Sequence, residues 1–131
     1  MDQQTETPPP TWQFIDDPAE FHDPAAVVVR MPRGIRSKQK LLAVLADKLN
    51  FPRYFGWNWD ALYDCLTDAA ISHRIVLVHG DLPFGPHSEL RRIYLAILRD
   101  LSQRTDLGEP LRVVFSAAHE SAVKEATSER R

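Results

Sequence analysis

The sequence predicts an α/β domain in two layers, a three-stranded parallel sheet covered by helices. Three observations carry this. Runs rich in β-branched and apolar residues at Ala25–Met31, Arg74–His79 and Leu111–Phe115 are separated by longer stretches whose apolar residues recur at helical spacing. The middle run is apolar through its centre, the pattern of a strand buried on both faces. Strands that alternate with helices pack with least difficulty as a parallel sheet with right-handed crossovers. At 131 residues, 44% of them hydrophobic, the chain is long enough for a single core.

Residues 1–11 contain Thr7-Pro8-Pro9-Pro10 and read as a disordered proline-rich lead, too polar to order itself. A single domain is expected over 12–116. Trp12, Phe14 and Ile15 alternate with polar residues and could cover an edge of the core, although Pro18 and Pro24 limit any strand there. The first strand of the expected sheet is Ala25–Met31, ended by Pro32 and Gly34. Ser37 can cap a helix carrying Leu41, Leu42, Val44, Leu45 and Leu49, which Pro52 closes. Asn58 caps a second helix from Trp59. Arg74–His79 is the expected central strand, stopped at Gly80-Asp81. Leu82–Pro86 reads as a turn, and Ser88 can cap a third helix with Leu90, Ile93, Tyr94, Ile97 and Leu101 on one stripe. After the last strand, residues 117–131 are expected to be a frayed tail.

The charges nearly cancel, 16 Lys+Arg against 18 Asp+Glu, which argues against a nucleic-acid binder that relies on a basic surface. Residues 1–29 hold Asp2, Glu6, Asp16, Asp17, Glu20 and Asp23 and no Lys or Arg, so any negative binding face must come from local clustering. The single cysteine, Cys65, excludes an intramolecular disulfide and fits a reducing compartment. With no secretory signal pattern and no apolar run of membrane-spanning length, a cytoplasmic location is expected.

The informative stretch is Phe51–Ala70, FPRYFGWNWDALYDCLTDAA. Along its helix Trp59, Ala61, Leu62, Cys65, Leu66 and Ala69 fall on an apolar arc, and Asp60, Asp64, Thr67 and Asp68 share the opposite face with Tyr63 at its edge. Carboxylates at i, i+4 and i+8 repel one another, and no Lys or Arg between Tyr54 and Ser72 relieves them. Such a face is either simply solvated or presented to something positive.

The run Tyr54-Phe55-Gly56-Trp57-Asn58-Trp59-Asp60-Ala61-Leu62-Tyr63-Asp64-Cys65-Leu66-Thr67 resembles the loop and second main helix of the barstar family, intracellular inhibitors of barnase-type ribonucleases. The resemblance is close over 54–67 and extends by element order over roughly 25–116. It implies a βααβαβ topology with strand order 1-2-3. It also implies a binding protein, not an enzyme, that occludes the active-site cleft of a basic, secreted-type ribonuclease or a related toxin. An adaptor or immunity protein binding a different basic protein through the same face is the alternative. The resemblance places Tyr54, Asp60, Tyr63, Asp64 and Thr67 at interface positions, with Asp64 entering the phosphate site. Phe55, Gly56 and Asn58 belong to the loop that holds Tyr54, Asp68 extends the acidic row, and Asp100 matches a further acidic contact. The chain departs from the family pattern at Tyr63 for Trp, Phe55 for Tyr, and Asp68-Ala69 for Gly-Trp, so the cognate nuclease need not be barnase itself.

Rival chemistries fit less well. Asp60, Asp64 and Asp68 span about 12 Å along a helix axis, too far for one Mg²⁺ or Ca²⁺ to touch all three, so no metal is expected. His22, His73, His79, His87 and His119 show no metal-ligand spacing, and there is neither a phosphate loop nor a nucleophile elbow, so no cofactor or catalytic residue is expected. Tyr54, Phe55, Trp57 and Trp59 could stack nucleobases, but three carboxylates beside them would repel a nucleic-acid backbone.

Overall fold

The computed structural model describes residues 10–128. In chain order these form β1 (Trp12–Ile15), a 3₁₀ turn at Pro18–Glu20, β2 (Val27–Met31), α1 (Lys38–Lys48), α2 (Trp59–Ser72), β3 (Ile75–His79), α3 (Glu89–Ser102), β4 (Arg112–Ser116), a 3₁₀ turn at Ala117–His119, and α4 (Glu120–Thr127). The three expected helix caps are present. Ser37 Oγ accepts from the Lys40 amide at 3.1 Å, Asn58 Oδ1 from that of Ala61 at 2.8 Å, and Ser88 Oγ from that of Leu90 at 3.1 Å. Each satisfies one of the first-turn donors that a helix leaves unpaired.

The sheet is parallel throughout but has four strands, in the order β1-β4-β3-β2, rather than three. The three expected strands, β2, β3 and β4, keep the expected neighbours. The additional strand is the short segment around Trp12 and Phe14, which pairs with β4 from Trp12 opposite Val113 to Ile15 opposite Ser116. Pro18 does not obstruct it, because the strand ends first and Pro18 instead opens the 3₁₀ turn capped by Asp17. Placed at the sheet edge, β1 needs pairing on one side only.

All five residues of β3 are buried. Ile75 and Leu77 of β3 and Val113 and Phe115 of β4 face the main core, where they meet Leu41, Leu42 and Leu45 of α1, Leu62 and Leu66 of α2, and Tyr94, Leu95 and Leu98 of α3. Successive strand residues point to opposite faces. Val76, Val78 and Val114 therefore form a second, smaller cluster, covered by Ile15, Phe21, Ala26 and Val28. The covering segment is tied down by two arginines. Arg112 donates to Asp23 at 2.8 Å and to Gln13 at 3.1 Å, and Arg30 donates to the carbonyls of Pro18, at 3.2 Å, and Phe21. The Ala25 amide, then the Arg112 guanidinium, hold the Asp23 carboxyl below its ordinary value.

The expected frayed tail needs a second correction. Glu120–Thr127 is helical and packs on α3, with Val123 fully buried in the main core and Arg99 donating to the Thr127 carbonyl at 2.5 Å. Burying one Val side chain contributes about 1.5–3 kcal/mol, enough to dock a short helix that would be marginal alone. At the other end Thr11 is already anchored, its hydroxyl donating to the Leu111 carbonyl at 2.5 Å. Residues 1–9 of the expected lead and 129–131 of the expected tail lie outside the described residues. Among the described residues no helix is long and apolar enough to cross a membrane.

Candidate partner-binding surface

The loop between α1 and α2 and the outer face of α2 carry most of the residues singled out from the sequence. Tyr54 stands 83% exposed at the loop's tip. Phe55 does not share that exposure: it is buried, with ring centroids 5.1 Å from Phe51 and 5.0 Å from Trp57. Phe55 is thus the loop's internal support and offers no surface to a partner. Gly56 passes close to the start of α2, where a Cβ would sit 3.4 Å from that of Ala61 and 3.6 Å from Asn58 Nδ2. Those are ordinary van der Waals distances, so the backbone here would accommodate a Cβ. Asn58 spends its side chain on the helix cap, which fixes the angle at which the loop enters α2.

Asp60, Asp64 and Asp68 are exposed, and among the described residues none of them makes an ion pair or a side-chain hydrogen bond. Asp60 alone lies in the first turn of α2, where the helix dipole favours a negative charge. Behind this row, Cys65 faces the core. Burial, followed by the charges of Asp68 and Asp64, pushes its thiol above the ordinary range, so the thiolate a nucleophile requires is disfavoured. Thr67 Oγ1 donates back to the Tyr63 carbonyl at 2.8 Å and so has its proton engaged.

Tyr63 and Asp100, 37 residues apart in sequence, are joined across α2 and α3: the phenol donates to the Asp100 carboxylate. Arg104, just beyond α3, reaches the same phenol with Nη1 at 3.2 Å and pairs with Asp106 through Nε at 2.9 Å and Nη2 at 2.5 Å. Burial, and then the Asp100 carboxylate, raise the Tyr63 phenol above its usual value. The structure thus brings Asp100 to the α2 face and puts a guanidinium beside it. Neither Arg104 nor Asp106 stood out in the sequence. They follow α3 in a turn of ordinary polar composition, and only the crossing of α2 and α3 reveals their neighbour.

Trp57 also escaped selection as a surface residue. It is 46% exposed, with backbone φ at 56°. Trp59, two residues on, behaves differently, packing against the main core with the Lys38 ammonium 5.8 Å from its ring centroid. Among the described residues no three His, Cys, Asp or Glu side chains gather closely enough to hold a metal ion.

This surface can present carboxylates and aromatic side chains to a cationic partner. A protein described as "Putative ribonuclease inhibitor YrdF", from Bacillus subtilis (strain 168), is 70% identical over 23 residues, which is 18% of this chain and 25% of that one. The chain therefore spans a quarter of that relative's length. No solved structure matches the chain significantly. Residues 16–116, from the 3₁₀ turn region through β4, match the family described as Barstar (barnase inhibitor), and the chain belongs to that family.

Proposed function

We propose that this protein inhibits a barnase-type ribonuclease by lodging α2 and its preceding loop in the enzyme's active-site cleft. The observation that carries the reading is the row of exposed carboxylates at Asp60, Asp64 and Asp68, which no cation within the described residues neutralises. A helix that keeps like charges stacked forfeits a few tenths of a kcal/mol per neighbouring pair, and an external cationic partner recovers that loss. A ribonuclease supplies one, because its cleft must hold Arg, Lys or His to bind phosphates. Carboxylates set where phosphates would sit exclude the substrate by imitating its charge.

Asp64 is the residue assigned to the phosphate site. It lies one turn from both Asp60 and Asp68 and beside Tyr63, so of the three it is the one a closing cleft would desolvate most fully. Asp60 and Asp68 then act at the rim, and Tyr54 and Tyr63 supply contact area around the charges. Opposed fields speed encounter at low salt.

The test is inhibition of RNA cleavage by barnase, with association and dissociation rates measured for each alanine variant. Asp64→Ala is expected to raise the dissociation rate most, because truncating one member of a buried charge pair typically costs about 2–5 kcal/mol. Asp60→Ala and Asp68→Ala are expected to act mainly on the association rate and its salt dependence. Equal weakening by all three, seen only at low salt, would reduce the face to a diffuse steering patch and sink the plug mechanism.

A further inference from the structure

We propose that Trp57 is an additional anchor and specificity determinant of this surface, its indole stacking on an Arg or Lys at the rim of the ribonuclease cleft. This rests on the inhibitory reading above and adds to it a residue that the family resemblance did not place at the interface.

The first support is exposure without a structural reason for it. The large hydrophobic residues exposed among those described are Val27, Tyr54, Trp57 and Ile71, and two of the four lie in this one loop. The second is backbone conformation. Trp57 has φ of 56°, in the left-handed region that a β-carbon disfavours and that Gly or Asn enters readily. Gly56 is adjacent, yet the left-handed position itself is filled by the bulkiest side chain available. Strain of this kind persists where the surroundings enforce it, and it concentrates at ligand clamps and active sites. Burial does not account for it here, since nearly half of the residue remains in water.

The third support is that the indole is braced. Phe55 lies 5.0 Å away between centroids and is itself backed by Phe51 at 5.1 Å, so the ring is held while part of it stays open. A ring fixed in advance loses little entropy on contact, which is the advantage of aromatic anchors. Local charge identifies what it would meet. Trp57 stands three residues before Asp60 in the chain, and the acidic row selects a cationic opposing surface. The face of Trp is the best of the aromatic side chains for a guanidinium or ammonium group. Trp59 already shows the arrangement within the chain, with the Lys38 ammonium over its ring. At Trp57 no such cation is supplied from the described residues, and the partner provides it.

The experiment compares Trp57→Asn and Trp57→Phe with the wild-type full chain, measuring both inhibition of barnase and thermal unfolding. Asn tolerates the left-handed conformation, so Trp57→Asn is expected to unfold at the wild-type temperature or above it, while its inhibition constant rises about ten- to a hundredfold. Trp57→Phe keeps an aromatic face and is expected to fall between the two. The proposal is overturned if Trp57→Asn inhibits as well as wild type. It is equally overturned if that variant loses inhibition together with thermal stability, because the indole then serves only to support Phe55. Failure of the wild-type protein to inhibit any of a panel of barnase-type ribonucleases, barnase among them, would instead remove the inhibitory reading, and the anchor with it.

Discussion

A histidine whose burial outweighs every nearby charge makes stability depend on pH in one direction. His79, at the end of β3, is 1% exposed. Its ring stacks on Phe115 at 5.1 Å, its Nδ1 lies 3.4 Å from the Val114 carbonyl, and its Nε2 lies 2.8 Å from the Tyr94 hydroxyl. The neutral imidazole satisfies both contacts, Nδ1–H donating and Nε2 accepting from the phenol. Burial lowers its pKa from 6.5 to about 4, so the unfolded chain takes up a proton on His79 well before the folded chain does. Its contribution is complete above pH 6.5 and is lost as the pH falls from there towards 4. At 1.36 kcal/mol per pH unit this amounts to about 3 kcal/mol. Urea unfolding at pH 7.5, 5.5 and 4.5 is expected to show the decline, and His79→Gln should flatten it. The Asp23 carboxyl, held below 3.8, is lost only at still lower pH, so the two effects separate.

At the scale of elements, what could be read in the sequence was what is decided locally. The caps at Ser37, Asn58 and Ser88 each bond to an amide two or three residues away, and the acidic row on α2 follows from helical periodicity alone. The conformation of the loop before α2 was harder to read. Phe55 and Trp57 are both aromatic, and only the packing of Phe51 decides which is buried. The pairing of α2 with the end of α3 was beyond reach, because Arg104 meets Tyr63 across 41 residues. That contact has a measurable consequence. Arg104 places a positive charge on a surface otherwise built from carboxylates, and it opposes the rise in the Tyr63 phenol's pKa. Arg104→Gln is therefore expected to raise that pKa further in an ultraviolet titration and to speed association with barnase a few-fold at low salt. At 1 M salt, where screening acts over about 3 Å, the difference in association rate should vanish. An unchanged phenol titration would mean that Arg104 does not reach Tyr63 in solution.

For the whole molecule, three of the four strands were legible and the β1 edge was not. β3 announces itself by an unbroken apolar run, and β2 and β4 by β-branched residues, whereas β1 is four residues long and takes its meaning from a partner near the other end of the chain. Residues 120–127 read as a tail because their helix buries a single fully enclosed side chain, Val123. The edge position of β1 predicts uneven local stability. In hydrogen exchange under native conditions, the amides of β3 are expected to open only with global unfolding, while those of β1 open at a lower free energy. Uniform protection across all four strands would contradict this.

The pairing of β1 with β4 also bears on how the chain is assembled. Thr11 meets Leu111 across 100 residues, so a chain synthesised from its N-terminus holds β1 ready, without its neighbour, until nearly the whole domain has emerged. Closing so long a loop is slow relative to the local contacts of the helices, and the β2–β3 pair is complete well before β4 is made. The first strand to leave the ribosome is then the last to join the sheet, and until it does, one side of β4 remains open to any other strand that comes within reach.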